Sequence, residues 1–188
     1  MRLRELERVE AEAGAAGPWT CREPILVERL HSLNQRNLPA VGDIPLARME
    51  HFARIAARFL VLEAGEGEED LSVEPAGYLV ALTPEADYDS PNFLWFRERW
   101  PEFLYVDRVA VADHARRRGG GRRLYEALFA EAREQGIPRV VCEVNLRPRN
   151  DVSLAFHASL GFRPVGEAES QGHRVQYLEK RIAPSDGA

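Results

Sequence analysis

Two adjoining stretches decide the fold: Phe103-Leu104-Tyr105-Val106-Asp107-Arg108-Val109-Ala110-Val111, and then Arg116-Arg117-Arg118-Gly119-Gly120-Gly121. The first is rich in β-formers and bounded by Pro101 and Asp113, which predicts a strand. After the second, Leu124, Leu128 and Ala132 recur at helical spacing as far as Gly136 and Pro138, the usual stop signals. The result is a strand, a glycine turn and a helix over 119–135. Three consecutive glycines let backbone approach a ligand closely. A helix opening there leaves its first amides without internal partners, and its dipole favours an anion. Arg116, Arg117, Arg118, Arg122 and Arg123 fall within eight residues and add charge-assisted donors. A pyrophosphate is the natural guest. The competing reading is a plain tight turn with a solvated arginine face. A nucleotide P-loop is excluded, because Arg122-Arg123 stand where Lys-Ser/Thr is required. The dinucleotide fingerprint fails too, because Leu124 occupies its third glycine position.

Working outward, Val140–Asn145 reads as the next strand, 151–160 as a helix closed by Gly161, and Phe162–Val165 and Val175–Ile182 as the last strands. Upstream, Trp19–Arg22 is a short strand and Ile25–Gln35 a helix. Asp43 is placed to cap a helix carrying Leu46, Met49, Phe52, Ala53 and Ala56. Arg58–Glu63 and Ser72–Leu82 read as strands around an acidic turn at 65–70. Residues 83–96 read as a long aromatic loop. Residues 1–18 form an extension, either a short helix striped by Leu3, Leu6, Val9 and Ala13 or a mobile arm. Residues 19–183 are the domain and 184–188 a tail. The order, a meander followed by βαβαβ, implies an α+β fold with a mixed sheet and at least one parallel crossover.

At 188 residues the chain is long enough for one well-buried core. Its net charge of -5 speaks against a nucleic-acid partner. No apolar run spans a bilayer, and the charged first residues are unlike a secretory signal, so no membrane role is expected. Cys21 and Cys142 stand far apart in no metal spacing, which fits a reducing cytoplasm and no metal site.

The motifs then resemble a known family. Arg116-x-x-Gly119-x-Gly121 after a strand is similar to the acyl-CoA signature of the GNAT N-acetyltransferase superfamily. The segment Asn150-Asp151-Val152-Ser153-Leu154-Ala155-Phe156-His157-Ala158-Ser159-Leu160-Gly161-Phe162 is similar to its second hallmark. The stretches Tyr88–Phe93, Tyr105–Val111 and Glu143–Asn145 resemble a little-characterised bacterial branch of predicted acetyltransferases. The resemblance implies acetyl-CoA as acyl donor and a mostly antiparallel sheet whose two central parallel strands splay to admit it. It implies that Val109, Ala110 and Val111 pair with the pantetheine arm. Amides from Arg117 to Arg122, Gly119, Gly120 and Gly121 among them, would cradle the pyrophosphate. Asn150 and Ser153 would face the thioester end. The alternative is a non-catalytic acyl-CoA-binding or regulatory domain.

Transfer to an amine needs a base, and the departing thiolate needs a proton donor. Charges inside apolar β-runs are costly unless they have a purpose, which singles out Asp107 and Glu143. Each has a competing structural reading as a paired charge. By resemblance the acid position falls on His157, where the family often has tyrosine. His157 can equally bond the cofactor or simply pack, and Tyr105 and Tyr125 are fallback donors. The acceptor, a small-molecule amine or a protein N-terminus, would meet Asn34, Asn37, Tyr88, Asp89, Ser90, Asn92, Trp95 and Asn145. The aromatic stretch is otherwise a lid or a homodimer contact.

Overall fold

The computed structural model describes residues 1–15, 17–64, 74–170 and 172–184. In chain order its elements are β1 (Arg2–Glu5), β2 (Arg8–Glu10), β3 (Trp19–Cys21), α1 (Pro24–Arg36), α2 (Leu46–Ile55), β4 (Arg58–Glu63), β5 (Pro75–Leu82), α3 (Pro91–Arg97), β6 (Leu104–Val111), α4 (Asp113–Arg116), α5 (Gly120–Glu134), β7 (Arg139–Arg147), α6 (Asp151–Ser159), β8 (Arg163–Ser170) and β9 (His173–Arg181). Seven strands form one mixed, mostly antiparallel sheet in the order β1-β4-β5-β6-β7-β9-β8, and β2 pairs with β3 in a separate ribbon. The α+β expectation holds. The turn expected at 65–70 lies outside the described residues, as do 72–73 and most of the expected tail.

The chain divides into two compact units, residues 1–82 with 108–127, and residues 83–107 with 128–188. In the first unit β4 and β5 supply the core. Phe59 to Leu62 and all eight residues of β5 are buried, which is why both runs are apolar without alternation. Helix α1 starts on Pro24, whose missing N–H costs nothing in a first turn, and buries Val27, Leu30 and Leu33. Helix α2 buries Met49, Phe52, Ala53 and Ile55. Asp43 does not cap it. Pro45 takes that position, and the Asp43 carboxylate accepts from Gln35 Nε2 instead.

The N-terminal extension is neither helix nor arm. β1 runs antiparallel to β4, from Arg2↔Glu63 to Glu5↔Leu60. The unpaired edge of β4 offers these residues hydrogen bonds that an isolated short helix lacks. Arg4 reinforces the pairing, with Nε 2.6 Å from Glu63 and Nη2 2.6 Å from Glu23.

In the second unit β7, β9 and β8 form an antiparallel ladder. The parallel partner of β7 is β6, at Leu104↔Val140 and Tyr105↔Val141. The expected aromatic loop is half helix. Residues 91–97 form α3, with Pro91 in its first turn and Phe93 and Phe96 buried. Pro, Asp and Ser mark turns in sequence, yet all three also suit a helix start. The hairpin of β8 and β9 is longer than expected, and α4 is an added turn between β6 and α5.

Candidate active site

In the first unit the glycine turn opens α5. Gly119 has φ +77°, a left-handed conformation that a side chain disfavours, and an added Cβ there would meet nothing within 4 Å. Gly120 is constrained by space instead. A Cβ there would lie 3.0 Å from the Ala115 carbonyl oxygen and 3.0 Å from Leu62 Cδ2. Arg118 and Gly119 N–H donate back to Ala115 and Arg116, and the first bond into the new helix runs from Arg123 N–H to Gly119 O at 3.0 Å. Gly120 and Gly121 therefore present helix-opening amides. Arg117, Arg118 and Arg122 are exposed around them.

Arg116 has a different job. Its Nε donates to Val111 O at 3.0 Å, its Nη2 donates to Asn37 Oδ1, and its Nη1 lies 3.0 Å from Asp113. It ties the end of β6 and the loop after α1 to the turn. Asn34 is fully committed as well. Oδ1 accepts from Tyr78 at 2.8 Å and from Arg108 at 3.1 Å, and Nδ2 donates to Gln35 and to Gly42 O. Those four bonds use the whole amide. With 0% exposure, Asn34 holds the first unit together and leaves nothing for an acceptor.

In the second unit the two carboxylates come together with aromatic hydroxyls. Asp107 accepts from the Tyr88 hydroxyl at 2.5 Å. Glu143 Oε1 accepts from Asn92 Nδ2 at 2.9 Å and from the Tyr105 hydroxyl at 3.0 Å. Glu143 Oε2 is sealed from solvent with no hydrogen-bond partner. Burial pushes the Glu143 carboxyl up to about 8, and the nearby Asp107 charge adds to that, while Tyr105 and Asn92 pull the other way. Burial also lifts the Tyr105 hydroxyl well above its ordinary value. Tyr177, which no sequence motif marks, donates to Asn92 Oδ1 at 3.0 Å. It faces Glu143 directly across the β7–β9 ladder. Only a strand register could have revealed it.

Of the remaining expected residues, Val109, Ala110, Val111 and Tyr125 belong to the first unit and the others to the second. Asn150 caps α6, its Oδ1 accepting from Ser153 N–H at 3.0 Å, and Asn145 O accepts from Asn150 N–H. His157 is 3% exposed. Its Nδ1 lies 2.8 Å from Ser153 O, and its ring sits edge-on to Phe156 and Phe162. Burial lowers its pKa, which keeps the ring neutral. Asp89 is exposed, and Ser90 precedes α3 without a side-chain cap bond. Trp95 stacks on Tyr177, ring centroids 4.2 Å apart. Among the described residues no helix is long and apolar enough to cross a membrane, and no His, Cys, Asp and Glu cluster could hold a metal ion.

The comparisons with known proteins agree with this architecture. A family model described as the Acetyltransferase (GNAT) family matches residues 27–162. A search of curated proteins by sequence finds no match. Among solved structures the chain is similar to Ard1 from Thermoplasma volcanium, at TM-score 0.67 and 17% identity, over 97% of each chain. It is similar to Chaetomium thermophilum Naa20 in complex with a bisubstrate analogue, at 0.66 and 18%, over 97% of this chain and 87% of that one. The ribosomal-protein-S18-alanine N-acetyltransferase from Escherichia coli matches at 0.58 and 15%, over 86% and 90%. At such identities the likeness is one of fold.

Proposed function

The chain belongs to the acetyltransferase (GNAT) family, and from that premise we propose that it moves an acetyl group from acetyl-CoA to an amine, with Glu143 as the base. The observation that carries the role of Glu143 is the bare, buried Oε2 on a carboxyl raised to about 8. An ordinary glutamate is too weak a base for an ammonium. One near 8 matches an α-amino group, at about 7.7–8.0, far better than a lysine side chain at about 10.4. The preferred acceptor is therefore an α-amine, on a small molecule or a protein N-terminus. The structures bearing the names Naa20 and S18-alanine N-acetyltransferase support the same class.

The residues divide the work. Gly120 and Gly121 amides and the exposed Arg117, Arg118 and Arg122 suit the donor's pyrophosphate. Val109, Ala110 and Val111 offer a strand to the pantetheine arm. When acetyl-CoA binds it supplies a thioester open to attack. The amine nitrogen bonds to its carbonyl carbon, the carbon–sulfur bond breaks, and the sulfur leaves as the CoA thiolate. Glu143 takes the amine's proton, and Tyr105 is placed to pass a proton on. Asp107, held by Tyr88, sustains the proton affinity of Glu143. His157 is left to packing, its Nδ1 held by a backbone carbonyl.

The test is CoA release from acetyl-CoA over a panel of α-amines, ε-amines and short peptides. Turnover is expected, faster on α-amines. Tight acetyl-CoA binding with no turnover on any amine would favour a non-catalytic acyl-CoA-binding domain.

A further inference from the structure

We propose that Tyr177 and Asn92 form a positioning relay that fixes the orientation of the Glu143 carboxyl by holding its Oε1. The inference rests on the reading of Glu143 as the base.

An asparagine amide can face a carboxylate only with its nitrogen, because the reverse orientation opposes two acceptors. Something must therefore hold the Asn92 oxygen on its other side. The Tyr177 hydroxyl does so at 3.0 Å, and the Asn92 nitrogen then reaches Glu143 Oε1 at 2.9 Å. Tyr177 has little freedom to leave. It is 1% exposed, stacked on Trp95 and edge-on to Phe96 at 5.0 Å. Gly166, opposite Tyr177 on β8, makes room for this stack. A Cβ there would fall 2.8 Å from Trp95 Cζ2. Two donors, from Asn92 and Tyr105, thus converge on Oε1 and none on Oε2. Without the relay only the Tyr105 hydroxyl would hold Oε1.

The other groups that bear on Glu143 are Asp107 and Tyr105 on β6, and Tyr88, before α3, bears on Tyr105. Arg99 acts on Tyr177. A hydrogen bond to the ionised carboxylate stabilises it, so losing the relay raises the Glu143 pKa further. Tyr177→Phe keeps the ring and its stack. It is expected to lower kcat about tenfold and to move the acid limb of kcat/KM upward by about half a pH unit, with KM for acetyl-CoA unchanged. Asn92→Leu should do the same, and the double variant should add little. The Glu143 carboxyl followed by carbon-13 NMR without substrate should titrate higher in Tyr177→Phe. An unmoved limb and titration in both single variants, or additive losses, overturns the relay. If Glu143→Gln retains turnover, the base reading fails, while a shifted Glu143 titration in Tyr177→Phe still upholds the relay.

Discussion

The two units treat charge in opposite ways. In the first, Arg117, Arg118 and Arg122 stand exposed around helix-opening amides, and the turn is shaped by glycines. Water screens such charges, so an anion held there would exchange readily. In the second, Glu143 Oε2 is sealed from water, and the carboxyl holds its proton to about 8. Exposed charge suits reversible binding of a large anionic donor, and a buried carboxyl of raised pKa suits proton transfer. In the proposed reading, holding the donor falls to residues of the first unit and activating the acceptor to residues of the second.

The sharpest way to break that division is Glu143→Gln. Turnover should fall by about 10²–10⁴-fold, while the dissociation constant of acetyl-CoA, read by calorimetry, stays where it was. Weakened donor binding in that variant would show that the two roles are not separable. The mirror experiment is Arg117→Ala with Arg118→Ala. Affinity for acetyl-CoA should drop about tenfold, more at low salt, with kcat at saturating donor unchanged.

Stability supplies a third test. The Glu143 carboxyl keeps its proton in the folded chain to about 8, but loses it near 4.5 when unfolded. Between those values the folded state binds more protons, so this group's contribution falls as pH rises through the window. Glu143→Gln should remove a penalty on the order of a few kcal/mol above pH 8 and flatten the melting temperature across pH 5–8. An equal slope in both proteins would mean that Glu143 titrates normally. The smallest effects separate the glycines. Gly166→Ala presses on a ring and should cost about 1–3 kcal/mol in denaturant unfolding, and Gly119→Ala, strained but uncrowded, about 1.

Much of this was legible in the residues. Asp107 and Glu143 stood out because charge inside apolar β-runs demands an explanation, and Arg108 pointed away from Asp107 as alternation requires. The strands at 58–63 and 104–111 followed from composition. What failed depended on distant partners. Leu3, Leu6 and Val9 mimic a helical stripe, and only the edge of β4 makes Arg2–Glu5 a strand. Asn34 looked available for a ligand until Tyr78 and Arg108 were seen to fill it. His157 takes its candidacy from its motif position, and the fold adds that its ring lies against Phe156 and Phe162 with Nδ1 beside a backbone carbonyl.

The first strand has a practical side. β1 covers the outer edge of β4, whose Phe59, Leu60, Val61 and Leu62 are buried. A chain trimmed of its first ten residues would present that row of backbone donors and acceptors to other molecules, and edges of this kind seed self-association. Anyone preparing this protein should keep its opening residues and place purification handles at the far end.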